Sequence, residues 1–430
     1  MSQGTTLAAT AALLASATAL AAETPDEIRI GITTFISGPA SVFGVPAQQG
    51  AELMAERLNE RGGILGVPVT LFFLDEGAGL ETLTSEYRRL VDSVNVDVMF
   101  ASISSGSCMA LAPLAEDLEV LNIMWDCGTQ RIFEEEDYRW VFRTNSHATP
   151  ELLSTFLYLN DRIPDFQTIA VVNQDYAWGR ESWAIFQAAL QTLRPDVEVV
   201  AELFPAFGAP DYSTEISRLL GLQPDVILST SWGGDLDTFV RQASGRGLFE
   251  TSQFVLPLAE SSLERLGRDL PDGVIVGGRG DNYFLHPEYR DDEDFQDFMQ
   301  AFRDRTGNWP IYPVFHMAQA FAAIEHAYEQ ASEAAGGEFP SREQVREAME
   351  TAEFRGLNRP VRIREDNQGL QAQLLGVTRM TDEYPFPIID EMVIHGAEEI
   401  TTPVGEESIS WIRTLDEGFL QIEGDRYSHE

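Results

Sequence analysis

The 430-residue chain contains no lysine: its 29 basic residues are all arginine, set against 69 Asp and Glu for a net charge of −40. Without lysine there is no phosphate-loop Lys, no kinase Lys, no Schiff-base Lys and no Ser-x-x-Lys nucleophile. So acidic a surface repels nucleic acid and anionic lipid, and no nucleic-acid partner is expected. Cysteine is almost absent; Cys108 and Cys127 are the only two, too few to build a metal cluster. The six histidines include no i, i+4 pair and no His-Glu-x-x-His, so no zinc site is expected. A Gly-x-Ser-x-Gly elbow is missing, and Gly277-Gly278-Arg279-Gly280 is too short and too late for a dinucleotide fingerprint. The sequence therefore predicts no catalytic residues, no metal and no cofactor. Two accounts of the missing lysine stand open: a GC-rich genome, or a protein bathed in high salt.

One long apolar run is present, at residues 7–22, ending in Ala19-Leu20-Ala21 and followed by the polar Glu23-Thr24-Pro25-Asp26. This small-x-small pattern reads as an export signal over residues 1–22, although Met1 to Thr6 carry no Arg. The alternative is a buried N-terminal helix. No cysteine stands near the cleavage pattern, so lipid anchoring is not expected, and the mature chain reads as a soluble periplasmic protein.

At this length, with 44% hydrophobic residues, two globular units are the natural expectation. Short β-branched runs predict strands at 28–34, 67–75, 97–101 and 120–125, with helices between them at 47–61, 82–93 and 108–118. A second series predicts strands at 168–173, 197–204, 226–230, 254–258 and 274–276. Its helices fall at 178–193, 213–220, 236–246 and 261–266. Two successive strand–helix series imply an α/β protein with two doubly wound parallel sheets and ligand-facing loops at the C-terminal strand ends. The pattern then breaks. Long helices are predicted at 292–306 and 314–335, then a helix to about 351 and strands near 361–364, 370–378 and 388–394. Residues 396–430 are acidic and weakly patterned, and read as an extension packed outside or partly mobile.

Several stretches resemble the branched-chain (Leu/Ile/Val) amino acid-binding proteins of ABC importers, a type I periplasmic binding fold. They include Ser37-Gly38-Pro39-Ala40, Gly50-Ala51-Glu52-Leu53 and Asn59-Glu60-Arg61-Gly62-Gly63-Ile64, followed by Phe142-Arg143-Thr144, Tyr176-Ala177-Trp178-Gly179 and Arg241-Gln242-Ala243. The resemblance covers roughly residues 28–380 and implies two α/β lobes joined by three crossover strands, with a ligand held between them. It assigns residues 26–144 plus 282–353 to one lobe and 145–281 plus 354–395 to the other. The crossings are expected near 143–145, 279–282 and 354–360. It also implies a monomer that binds an amino acid or a related small carboxylate or amide and delivers it to an ABC permease. A sensory receptor component of the same fold, or an enzyme on a similar scaffold, are the competing functions.

The resemblance places the ligand carboxylate at Ser104 and Ser105, where hydroxyls and free N–H groups open a helix; a plain helix cap is the alternative. In the next loop, Asp126 is expected to accept from a ligand ammonium and Thr129 to help with the carboxylate, while Trp125 is either wall or core. Trp178 and Trp232 match positions that present rings to the ligand, and Phe43 adds a wall. Glu260 loosely matches the acidic ammonium partner, or is a helix N-terminal acid. Three tryptophans point to an aromatic ligand, two acids to an amine or amide. Cys108 and Cys127 each follow a strand, and a disulfide between them or two small buried thiols are both open.

With −40 net charge, self-repulsion weakens the folded state in dilute buffer and salt relieves it. The melting temperature should rise with NaCl up to about 1 M; a flat or falling curve would leave base composition as the account of the acidic surface.

Overall fold

The computed structural model describes residues 24–429; the export segment predicted at 1–22 lies outside them. The chain begins with β1 (Ile28–Thr34), α1 (Ser41–Glu60), β2 (Val69–Asp75), α2 (Leu80–Arg89), β3 (Val98–Phe100) and α3 (Ser105–Asp117). It continues through β4 (Leu121–Met124), α4 (Arg131–Glu135), β5 (Val141–Arg143) and α5 (Ala148–Arg162). The first sheet is all parallel, in the order β2-β1-β3-β4-β5. Parallel strands buried on both faces read as continuous apolar runs, which is how β3 stands in the sequence. Asn59 clamps the end of α1 to β2, donating to the Val69 carbonyl at 2.9 Å and accepting from its N–H at 2.7 Å.

The second series follows: β6 (Thr168–Val172), α6 (Ala177–Leu193), β7 (Glu198–Leu203), α7 (Ser213–Leu222), β8 (Val226–Leu228), α8 (Gly233–Gly245), β9 (Gln253–Leu256), α9 (Leu263–Leu266) and β10 (Ile275–Gly277). Helices α10 (Glu293–Thr306), α11 (Tyr312–Ala334) and α12 (Arg342–Met349) come next. They lead to β11 (Glu353–Phe354), β12 (Val361–Ile363), β13 (Gly369–Leu370), β14 (Gln373–Arg379) and β15 (Ile388–His395). The second sheet runs β7-β6-β8-β9-β10 in parallel, then adds β14 and β15 antiparallel. Two α/β lobes result, one on each sheet.

One local expectation is corrected, one helix was not predicted, and one open alternative is decided. The segment near 354–360, expected to cross between lobes, instead belongs to the small sheet β11-β12-β13, and the chain reaches the second sheet only beyond Leu370. Helix α5 carries no amphipathic signature because Ala148 through Leu159 are all buried, so it lacks a polar face to reveal its period. Of the two alternatives for the acidic tail, packed outside or partly mobile, the structure describes the packed one. It forms α13 (Ala397–Ile400), α14 (Ser408–Ile412) and β16 (Asp425–Tyr427), which extends the second sheet by pairing with β15. Ile400 and Ile412 are fully buried, and the Thr149 hydroxyl donates to that of Ser408 at 2.6 Å. Sparse apolar residues are enough to dock a tail when each one is buried.

The neighbouring strands β3 and β4 bring Cys108 and Cys127 together as a disulfide pair with Cα atoms 6.2 Å apart, within the range such a bond requires. Closing that loop contributes about 3 kcal/mol in the chain-entropy model. Alkylation mass spectrometry of non-reduced protein should find no free thiol, and reduction should lower the melting temperature; two alkylated cysteines would exclude the bridge.

Candidate functional site

In both sheets the order of the parallel strands reverses, at β1/β3 and at β6/β8, and loops leaving the C-terminal strand ends face a common crevice. A small, partly open pocket lies in it, its side chains leaving room for about one water-sized sphere. The first lobe contributes Ile103 and Ser105 after β3 and Gly128 after β4. The second contributes Tyr176 and Trp178 after β6, Trp232 after β8, Leu258 after β9 and Arg279 after β10. Every one of these residues stands just beyond a strand or at the first turn of the helix that follows.

The rings are held by their polar edges. Trp178 donates its indole N–H to the Thr230 carbonyl at 2.9 Å, and Trp232 donates to the Tyr176 hydroxyl at 2.6 Å. Phe43 of α1 packs edge-on against both Trp232, at 5.3 Å, and Tyr312, at 5.1 Å. An aromatic seam thus joins the lobes. Gly234 lets them meet backbone to backbone, since a Cβ there would stand 3.1 Å from the Pro39 carbonyl oxygen. A Cβ on Gly128 would strike the Trp178 ring and the Arg279 guanidinium.

Among the described residues, Arg279 is the only charged one lining the pocket. Its side chain is buried and paired with Asp126 at 2.9 Å and Glu151 at 3.2 Å, over the rings of Trp178 at 5.0 Å and Tyr312 at 5.7 Å. His316 of α11 completes the cluster, with Nδ1 2.5 Å from Asp126 Oδ1 and Nε2 2.8 Å from the Arg279 carbonyl. Burial by itself would favour the neutral guanidine, but Asp126 and Glu151 outweigh it and hold Arg279 charged. Glu151 is pushed up to about 7, by burial against the opposing pull of Arg279, and its Oε2 has no hydrogen-bond partner.

The structure gathers four of the expected residues at the cavity or its wall: Ser105, Trp178, Trp232 and Phe43. It puts the others elsewhere. Ser104 is the N-cap of α3, its hydroxyl oxygen accepting from Ser107 N–H at 3.2 Å, so the helix-cap alternative holds for it. Trp125 is core, fully buried with its indole N–H on the Thr33 carbonyl at 3.2 Å. Both carboxylate oxygens of Asp126 are engaged, by Arg279 and His316, instead of facing an ammonium. The Thr129 hydroxyl oxygen accepts from Arg131 N–H at 3.3 Å and lies outside the cavity. Glu260 accepts from the Tyr312 N–H at 2.8 Å and thereby caps α11, a helix distant in sequence.

Sequence reasoning missed Arg279, Tyr176, Glu151 and His316. Arg279 had been assigned only to a crossing; a lone arginine directly after a strand at a ligand-facing end was the available signal. Glu151 sits in the unrecognised α5, and His316 on a helix whose periodicity marks core and nothing more.

Residues 27–382 match a family model described as periplasmic binding protein. The chain is 27% identical over 244 residues to Leu/Ile/Val-binding protein homolog 7 of Brucella abortus strain 2308, covering 53% of this chain and 58% of that protein. It therefore spans little more than half the length of that curated relative. Among solved structures it superimposes on a solute-binding protein of an ABC transporter from R. palustris, in complex with benzoate, with a TM-score of 0.71 and 19% identity over 84% of this chain and 95% of that one. An amino acid ABC transporter substrate-binding protein from Pseudomonas fluorescens Pf-5 gives a TM-score of 0.74 with 16% identity, covering 90% and 99%.

Burial pushes the Glu260 carboxyl up to about 8. The unfolded chain loses this proton near pH 4.3 while the folded chain keeps it, so this group's contribution to stability falls as pH rises between those values and is flat above. Glu260→Gln should remove that part of the slope and stabilise the protein at pH 9, relative to its effect at pH 4, by a few kcal/mol on the order implied by linkage. Urea melts of both proteins across this range check it, and an unchanged slope in the variant would assign the pH dependence to other groups.

Proposed function

We propose, for a chain that belongs to the periplasmic binding protein family, that it captures a small carboxylate or amide between its lobes outside the cytoplasm and hands it to an ABC permease. The observation that carries this reading is the pocket, lined from the C-terminal strand ends of both sheets, with the rings of Tyr176, Trp178 and Trp232 beside the polar groups of Ser105 and Arg279. Opening the lobes admits the ligand. Closing them completes a wall that neither lobe has alone, which couples capture to a change of shape that a permease can recognise. No residue in this scheme makes or breaks a bond; the work is recognition and release.

Ser105 supports the carboxylate end. It is buried against the cavity in the first turn of the 13-residue α3, where the first N–H groups have no partner within the helix and the dipole favours an anion. Ser104 serves by capping that turn, and the buried Glu76 braces the loop before it by accepting from Ile103 N–H at 2.9 Å. Trp178, Trp232 and Tyr176 enclose the apolar body.

A tryptophan-fluorescence and thermal-shift screen across amino acids, aromatic acids and amides should find a ligand that both quenches or shifts emission and raises the melting temperature. On an acid and amide pair from that screen, Ser105→Ala should weaken the acid by roughly ten- to a hundredfold and the amide far less. Trp232→Ala should weaken both together, because a lost ring is indifferent to the head group. Calorimetry decides it. No response to any small molecule, or equal losses for the pair in Ser105→Ala, would overturn the placement of the carboxylate or the reading itself.

A further inference from the structure

The cavity's charges are unequal. Its lining includes one guanidinium and no carboxylate. Of the acids near it, Asp126 is committed to Arg279 and His316 and Glu260 to the first amide of α11, while Glu151, paired with Arg279, stands outside the lining. An α-amino acid entering this space would bury an ammonium with no partner, whereas a simple carboxylate would meet Arg279, Ser105 and the start of α3. The apolar surface that remains is largely aromatic, from Tyr176, Trp178 and Trp232.

We infer that Arg279 sets the ligand class: by occupying Asp126 it removes the carboxylate an α-ammonium needs and presents a guanidinium in its place, so that the cleft takes aromatic carboxylates lacking an α-ammonium. This rests on the solute-binding reading above and goes past it, since that reading is equally content with an amino acid. Arg279 acts here as a specificity determinant in two ways. It is the attractive group for the anion, and it blocks Asp126 from the competing zwitterion. Glu151 modulates the first role. With its carboxyl near 7, this group is protonated at lower pH, which leaves more of the guanidinium's charge for a ligand; above that range the ionised Glu151 competes with it. Arg143, Asp126, His316 and the hydroxyls of Tyr176 and Tyr312 are the other charged and titratable groups around Glu151 and Arg279, and both tyrosines are pushed up by burial.

Calorimetry on the mature protein with benzoate, 4-hydroxybenzoate, L-phenylalanine and L-leucine tests it. The parent should bind an aromatic acid at least about a hundredfold more tightly than L-phenylalanine, the loss expected when a charged group is buried unpaired. Benzoate affinity should decline as pH rises through about 7. Arg279→Gln frees the Asp126 oxygen that His316 does not hold and should reverse the order, with benzoate weakened by roughly ten- to a hundredfold and L-phenylalanine strengthened. Should that variant fail to fold, Arg279→Lys keeps the charge and loses the fork. It should weaken benzoate while still discriminating against L-phenylalanine. If the parent binds L-leucine or L-phenylalanine as tightly as benzoate, the role of Arg279 is overturned and the solute-binding reading stands. If it binds none of the four, the inference is overturned again, and the broader ligand screen decides the reading separately.

Discussion

A guanidinium cannot be buried alone. The desolvation of Arg279 has to be met by opposite charge and hydrogen bonds, and the fold meets it from four directions. Asp126 comes from the loop after β4, Glu151 from α5, His316 from α11, and the rings of Trp178 and Tyr312 from the two lobes. The Arg279 side chain thus reaches a partner 153 residues away and contacts groups on both sides of the cleft. Deleting one partner of such a cluster typically costs about 3–5 kcal/mol, because the remaining charge is left uncompensated. A site built this way discriminates by charge before it discriminates by shape.

Around that cluster the protein separates rigid from adaptable parts. The two parallel sheets are dry and apolar, while the strand-end loops carry hydroxyls, amides and rings. Glycine appears where lobes approach closely, at Gly128 and Gly234, because any Cβ would hold them apart. Phe43, Trp232 and Tyr312 cross the seam as edge-on ring contacts, which reward closure without locking it. The acidic surface has a separate physical role: with 69 acids and 29 arginines, many exposed arginines find a carboxylate, as Arg305 does at Glu52 and Glu56, and the excess repels other copies.

Much of the fold was legible beforehand because sheet strands buried on both faces have to be apolar. Strands β1, β4, β6 and β8 stand within a residue or two of where the sequence predicts them. Legibility failed where burial was complete or apolar content too low. Helix α5 has no exposed face, so its period is invisible. The tail's few buried anchors, Ile400 and Ile412, do not stand out among acids. At the site, aromatic residues were easier to place than ionic ones. Trp178 and Trp232 follow directly from strand ends, whereas Ser104 and Ser105 are adjacent in sequence yet divide between a cap and the cavity.

The sequence by itself determined the two α/β units, the strand-end origin of the site, its tryptophans and the absence of any lysine to bind or react, because each of these depends on local pattern or on composition alone. Which acids remain free was decided only in three dimensions. Asp126 and Glu260 look like ligand groups until Arg279, His316 and the Tyr312 amide are brought beside them from far along the chain. A carboxylate's availability depends on what its oxygens already bind, and that is a property of tertiary contacts, not of spacing.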